Sequence, residues 1–135
     1  MNERLDAAYR ATSYVVDGPD GAFALRVGET SPPLDELLVR HNTRCWAFVT
    51  ACNPGSLPLS AEENRGRQAE LEAVVSKAGY TFFAGQGVGE DDWLPEASVL
   101  ILGITPEDAA ALGRHFGQNA ILTGEACGPA RLLWL

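Results

Sequence analysis

Thr50, Asn53, Asn64, Arg67, Glu96, Gln118 and Asn119 carry most of the chemistry that this sequence offers. Four are carboxamides, one is a guanidinium, one a carboxylate and one a hydroxyl. A guanidinium gripping an anion in a two-pronged bond, with amides reading the edges of a base or sugar, would bind a small anionic or nucleotide-like molecule. A carboxylate beside a guanidinium would instead suit acid–base chemistry with water as the attacking group. Either use requires segments far apart in the chain to meet.

The elements that would position these residues start at Cys45–Leu71, CWAFVTACNPGSLPLSAEENRGRQAEL. The near-continuous apolar run from Trp46 to Ala51 suits a strand buried on both faces. Asn53-Pro54-Gly55 is a turn signal. Ser60 with Glu63 three residues on forms a capping box, so a helix begins there and runs to about Ala78, ahead of Gly79. At about 100° per residue, Asn64, Arg67 and Gln68 fall within about 60° of the stripe made by Leu71, Val75 and Ala78. The helix thus turns apolar groups inward at its C-terminal half and polar ones at its N-terminal half. Its free N–H groups and partial positive charge favour an anion at this tip. The competing structural reading has Asn53-Pro54-Gly55 as a turn, with Asn64 and Arg67 capping neighbouring loops or pairing with Glu96. A carboxylate opening an apolar strand needs a partner, and Arg67 is the one expected for Glu96.

The remaining elements follow from similar signals. Glu3–Ala11 is expected as a short helix. Ser13–Val16 and Ala22–Val27 form a hairpin around DGPDG. Ser31 caps a helix entered through Pro32-Pro33, and Thr105-Pro106 opens another that Gly117 ends. Thr81–Ala84, Glu96–Ile104, Ala120–Thr123 and Arg131–Trp134 are strands, and Gly85–Pro95 is expected as a glycine-rich loop. Gly85, Gly87 and Gly89 do not form a dinucleotide fingerprint, since no helix follows. Glu90, Asp91 and Asp92 suit a solvated hairpin tip better than a cation loop. Gln118 and Asn119, next to one another before a strand, face opposite sides, so at most one serves any single pocket. The fold class is α+β (mixed α/β): a single domain, residues 1–135, with a mixed sheet of about six or seven strands and three main helices packed on it.

Composition narrows the field. A chain of 135 residues with 46% apolar and 21% charged residues buries roughly 68% of its unfolded surface without disulfide or metal. The formal charge of −8 disfavours nucleic acid, and no apolar run is long enough for a membrane span. The polar N-terminus is not a signal peptide, which leaves a cytoplasmic location as the expectation. Cys45 and Cys52 bracket one strand and lie roughly 23 Å apart, too far for a disulfide. His41 and His115 are remote from one another, so no zinc site is expected, and no cofactor is implied. The terminal ARLLWL is apolar and could sit on a sheet edge as a protein-interaction or homodimer surface.

The runs AFVTACNPGS, ENRGRQAEL, WLPEASVLILGI and FGQNAIL resemble, in order and spacing, the small bacterial proteins catalogued as domain of unknown function 3293. The resemblance covers about Tyr14 to Leu133. It implies a single cytoplasmic domain and no assigned activity, with Thr50, Asn53, Pro54, Glu63, Asn64, Arg67, Glu96, Gln118 and Asn119 as the resembling positions. Cys52 departs from it, standing where an aromatic is expected. Three readings result. The preferred one is a binding domain for a small anionic or nucleotide-like ligand at the helix tip. The second is a hydrolase-like enzyme using Glu96 with Arg67, and the third is an interaction module or homodimer with no small-molecule site.

Overall fold

The computed structural model describes residues 3–90 and 94–135. The three expected helix starts form as the side-chain chemistry dictates. Ser31 accepts from the Leu34 N–H, Thr105 from the Asp108 N–H, and Ser60 and Glu63 exchange bonds in a complete capping box. In chain order the elements are α1 (Glu3–Ala11), β1 (Ser13–Gly18), β2 (Gly21–Leu25), α2 (Pro32–Arg40), β3 (Cys45–Thr50), α3 (Ala61–Lys77), β4 (Thr81–Val88), β5 (Glu96–Leu102), α4 (Pro106–His115), β6 (Ala120–Glu125) and β7 (Arg131–Trp134). A single 3-10 turn, Pro54–Ser56, lies between β3 and α3. No helix among the described residues is long and apolar enough to cross a membrane.

The seven strands form one sheet in the order β2-β1-β4-β5-β3-β6-β7. Every strand pairing is antiparallel, which corrects the expected mixed sheet. The reason lies in the two crossovers. β3 and β4 run parallel but β5 lies between them; β5 and β6 run parallel but β3 lies between them. Each helix therefore spans a gap that an antiparallel strand fills, the split βαβ arrangement of ferredoxin-like topology. The two crossovers move in opposite directions along the sheet from oppositely directed strands, so right-handed connections place α3 and α4 on the same face. One apolar cluster joins Leu71 and Val75 of α3, Ala109 of α4 and the adjacent Phe116 to Ala47, Val49, Val99 and Ile101.

The alternate strand residues face the other side. Tyr14, Val16, Leu25, Trp46, Phe48, Leu100, Leu102 and Leu122 form a second cluster, completed by Leu34, Leu37 and Leu38 of α2. The sheet curls about this face. Beyond β2, Val27 pairs with Ala130 in an isolated parallel bridge, and the Gly28 N–H donates to the Ala130 carbonyl at 2.8 Å. Helix α2 plugs this end, while α1 lies over the opposite end without burying any of its residues. β7 stands at the edge of the sheet, as its apolar ending suggested.

The expected glycine-rich loop is shorter than its composition implies. β4 continues through Gly85, Gln86, Gly87 and Val88, with Gly85 opposite Ser98 and Gly87 opposite Glu96. Glycine survives mid-strand here because other groups occupy the space of a side chain. A Cβ on Gly85 would stand 2.4 Å from the Val15 carbonyl oxygen and 3.1 Å from the Phe48 ring. Asp91, Asp92 and Trp93 lie outside the described residues.

Two substitutions separate packing from propensity. Gly85→Ala should destabilise by about 1–3 kcal/mol through that overlap. Gly66→Ala, on the exposed side of α3 with nothing within 4 Å, should stabilise by about 0.5–1 kcal/mol. Urea denaturation of the two variants measures both.

Candidate functional site

The polar residues singled out in the sequence do come together, around the segment linking β3 to α3. Asn53 adopts a left-handed conformation, φ 47°, which asparagine tolerates better than most residues. Its Oδ1 accepts from the Leu59 N–H at 2.9 Å and from Asn64 Nδ2 at 2.8 Å, while its own N–H donates to Asn64 Oδ1 at 3.0 Å. Its Nδ2 donates to Glu96 Oε2 at 2.6 Å. Arg67 donates through Nε to the Ala51 carbonyl and through Nη2 to the Phe116 carbonyl. Gln118 Nε2 donates to the Cys52 carbonyl at 3.0 Å, and Asn119 Nδ2 to Ser56 Oγ at 2.8 Å. Thr50 Oγ1 donates to the Ala97 carbonyl and accepts from the Cys52 N–H.

These contacts change what the residues can do. Two nitrogens of Arg67 are bonded to main-chain carbonyls, so it staples the end of β3 to the end of α4. The expected Arg67–Glu96 pair does not form; Glu96 takes Asn53 instead. The Ser60–Glu63 box already serves the tip of α3. Asn53, Asn64, Arg67, Gln118 and Asn119 thus hold a loop in which Asn53, Gly55 and Ser56 all have positive φ. Left-handed residues of this kind persist only where surrounding bonds over-determine them.

The loop in turn shapes a cavity on the opposite face of the sheet. A space of about 420 Å³ lies between α1 and the curled face, a size usual for a small-molecule site. Of the sequence candidates, Thr50 and Glu96 line it; Ser56, Ser98, Tyr9 and Tyr14 join them. Phe48, Leu122 and Leu132 form apolar wall, and Leu94, 82% exposed, stands among the lining residues. Gly87 and Gly89 also line it, opening room that side chains would fill. The glycine alternation that fails as a nucleotide motif thus has a different use: Gly85 and Gly87, two apart in β4, leave one face of the strand without side chains there.

Electrostatics distinguish Glu96 from its neighbours. Burial pushes its carboxyl above the ordinary value, and the hydrogen bond from Asn53 opposes this. Burial likewise raises the Tyr9 phenol, against a hydrogen bond with Ser56, and raises the Tyr14 phenol, whose hydroxyl donates to the Tyr9 carbonyl at 2.8 Å. The described residues include no group of three or more His, Cys, Asp or Glu able to hold a metal, and all three cysteines are free. Sequence reasoning missed Tyr9, Tyr14, Ser56 and Ser98. Ser98 had a usable signal, a hydroxyl two residues after Glu96 in an otherwise apolar strand. The others reach the cavity only through the curl of the sheet and the placement of α1.

Two outcomes follow from this arrangement. Arg67→Ala leaves the Ala51 carbonyl without its side-chain donor and the Phe116 carbonyl with only the 3.3 Å bond from Gln118 Nε2, and should cost about 1–3 kcal/mol in urea unfolding, the usual penalty for one unpaired acceptor. Glu96 binds its proton more tightly folded than unfolded, so its ionisation opposes folding. The penalty is absent below the ordinary carboxyl value of 4.5 and grows as pH rises from there to the raised folded value. Glu96→Gln should therefore gain stability relative to the parent over that interval, in unfolding midpoints measured against pH.

Comparison with known proteins adds three findings. A part of the beta haemoprotein component of NADPH sulfite reductase from Xylella fastidiosa, strains M23 and Temecula1, is 28% identical to the chain over 104 residues. The match covers 77% of this chain but 18% of each of those proteins, so the chain spans under a fifth of their length. No solved structure matches the chain significantly. The family model described as "Protein of unknown function (DUF3293)" matches residues 49–121, from the end of β3 into β6, and the chain belongs to that family.

Proposed function

We propose that the protein is a small-molecule-binding domain whose site is the cavity between α1 and the curled sheet. The observation that carries this reading is the cavity itself. Protein interiors pack closely and rarely leave spaces of this size, yet glycines hold this one open and a half-buried carboxylate faces it. A ligand with an apolar body and one polar end matches the lining: Phe48, Leu122 and Leu132 for the body, Glu96, Thr50 and Ser98 for the polar end.

The ligand site expected at the tip of α3 is replaced in this reading by a site on the other face. The tip residues support the site from behind: Asn53 orients Glu96, and Asn119 holds Ser56. The acid–base alternative keeps Glu96, whose raised proton affinity suits such a role, but Arg67 is engaged with main-chain carbonyls and the Thr50 and Ser98 hydroxyls give their protons to main-chain carbonyls. A sulfite reductase activity is not proposed for a chain that spans 18% of the reductase component it resembles.

A thermal-shift and ligand-observed NMR screen of small amphiphiles tests the proposal, with two variants that fill the cavity from opposite walls. A Cβ on Gly87 meets only ordinary contacts, at 3.7–3.9 Å from Thr12 and Tyr14, so Gly87→Val should fold and occupy the cavity. Ala8→Trp does the same from the exposed helix α1. Both variants should unfold cooperatively and lose at least about tenfold in affinity for any ligand found. A ligand that binds both variants as tightly as the parent would place binding elsewhere.

A further inference from the structure

Three of the hydroxyls that line the cavity offer a guest only acceptors. The Thr50 hydroxyl gives its proton to the Ala97 carbonyl, Ser98 to the Glu96 carbonyl, and Tyr14 to the Tyr9 carbonyl. A hydroxyl has one proton to give, so each of the three retains only lone pairs for a guest. Glu96 Oε2 accepts from Asn53, and its other carboxylate oxygen has no hydrogen-bond donor among the described residues. The aromatic wall has the same polarity: Tyr14 and Phe48 meet edge to face, 5.4 Å between ring centroids, and Tyr9 lies on the α1 side. Aromatic faces attract cations.

Among the described residues, the charged groups that line the space are Glu96, Glu90 and Arg4. Arg4 is on α1, largely exposed, and already engaged in an interaction of its own, so it is not a free counter-ion. The chain as a whole carries a formal charge of −8, a field that draws cations toward its clefts.

We infer that the ligand is an organic cation, a protonated amine on a small apolar or aromatic body, with the ammonium against Glu96, Thr50 and Ser98. An ammonium brings the donors and the positive charge that Glu96, Thr50 and Ser98 lack. Its N–H groups meet the open carboxylate oxygen and the hydroxyl lone pairs, while the body lies against Phe48, Tyr14 and Leu122. The inference rests on the cavity's being a ligand site and adds the class of ligand.

Calorimetric titration with three probes of one shape decides it: 2-phenylethylamine, protonated at neutral pH, 2-phenylethanol and phenylacetate. The amine should bind at least about tenfold more tightly than the alcohol, as expected for hydrogen bonds to an ionised group, and phenylacetate should bind most weakly. Glu96→Gln can still accept from Asn53 and should fold; it should bring the amine down to the level of the alcohol. Lowering the pH until Glu96 takes up its proton should weaken the amine and leave the alcohol unchanged. Tyr9 and Tyr14, both raised by burial, keep their protons throughout acid pH, and Glu90→Gln separates the contribution of the second carboxylate. An alcohol or phenylacetate that binds as well as the amine overturns the inference, as does an amine preference that survives Glu96→Gln. Failure of the amine to bind at millimolar concentration also overturns it. Binding of the alcohol alone, abolished by Gly87→Val, would sink the cation while leaving the cavity as the site.

Discussion

The hydrogen bond between Asn53 Nδ2 and Glu96 Oε2 ties the two halves of this protein together. One side of it is a turn in left-handed conformation that α3 and α4 hold from the convex face. The other is the first residue of β5, whose carboxylate stands in the cavity on the concave face. A half-buried carboxylate must be partnered, and a left-handed asparagine must be held; each supplies what the other needs. The same amide also accepts from Leu59 and Asn64, so the start of α3 is set by the bond that orients Glu96.

Around that tie the sheet divides the labour between its faces. The convex face is a closed core, with Leu71, Val75, Ala109 and Phe116 on the central strands. The concave face is filled by α2 at one end and only covered by α1 at the other. Helix α1 contributes no buried residue and docks through a few contacts: Tyr9 edge-on to Trp134, Trp134 Nε1 donating to Asp6, and Tyr14 bonding the Tyr9 carbonyl. Few buried contacts mean a low local stability. A cover held so lightly over a cavity with an acceptor-rich lining is compatible with a guest entering and leaving, whereas a helix packed like α3 would not be.

The arginine and the amides illustrate how a correct grouping can carry different chemistry. Helical spacing placed Asn64 and Arg67 on the inward side, and they are there. Whether an inward guanidinium meets a ligand or a carbonyl depends on what the neighbouring segments leave unpaired. Here Ala51 and Phe116, at the end of a strand and the end of a helix, expose carbonyls that regular structure does not satisfy. Arg67 bonds both, and the partner expected for it, Glu96, turns to the other face because strand residues alternate.

Local rules written in the sequence determined the helices, their caps and most of the strands, because capping, proline placement and apolar periodicity act over a few residues. They determined too that Asn53, Asn64, Arg67 and Glu96 belong to one neighbourhood. Tertiary structure alone decided the all-antiparallel order, since which strand fills the gap beneath each crossover is a long-range choice. It decided that Gly85 and Gly87 lie in a strand, because pairing with β5, not local preference, carries β4 that far, and the Val15 carbonyl and the Phe48 ring require Gly85 bare. It decided also that the cavity lies under α1, where Tyr9, Tyr14, Ser56 and Glu96, separated by up to 87 residues in sequence, meet only because the sheet curls.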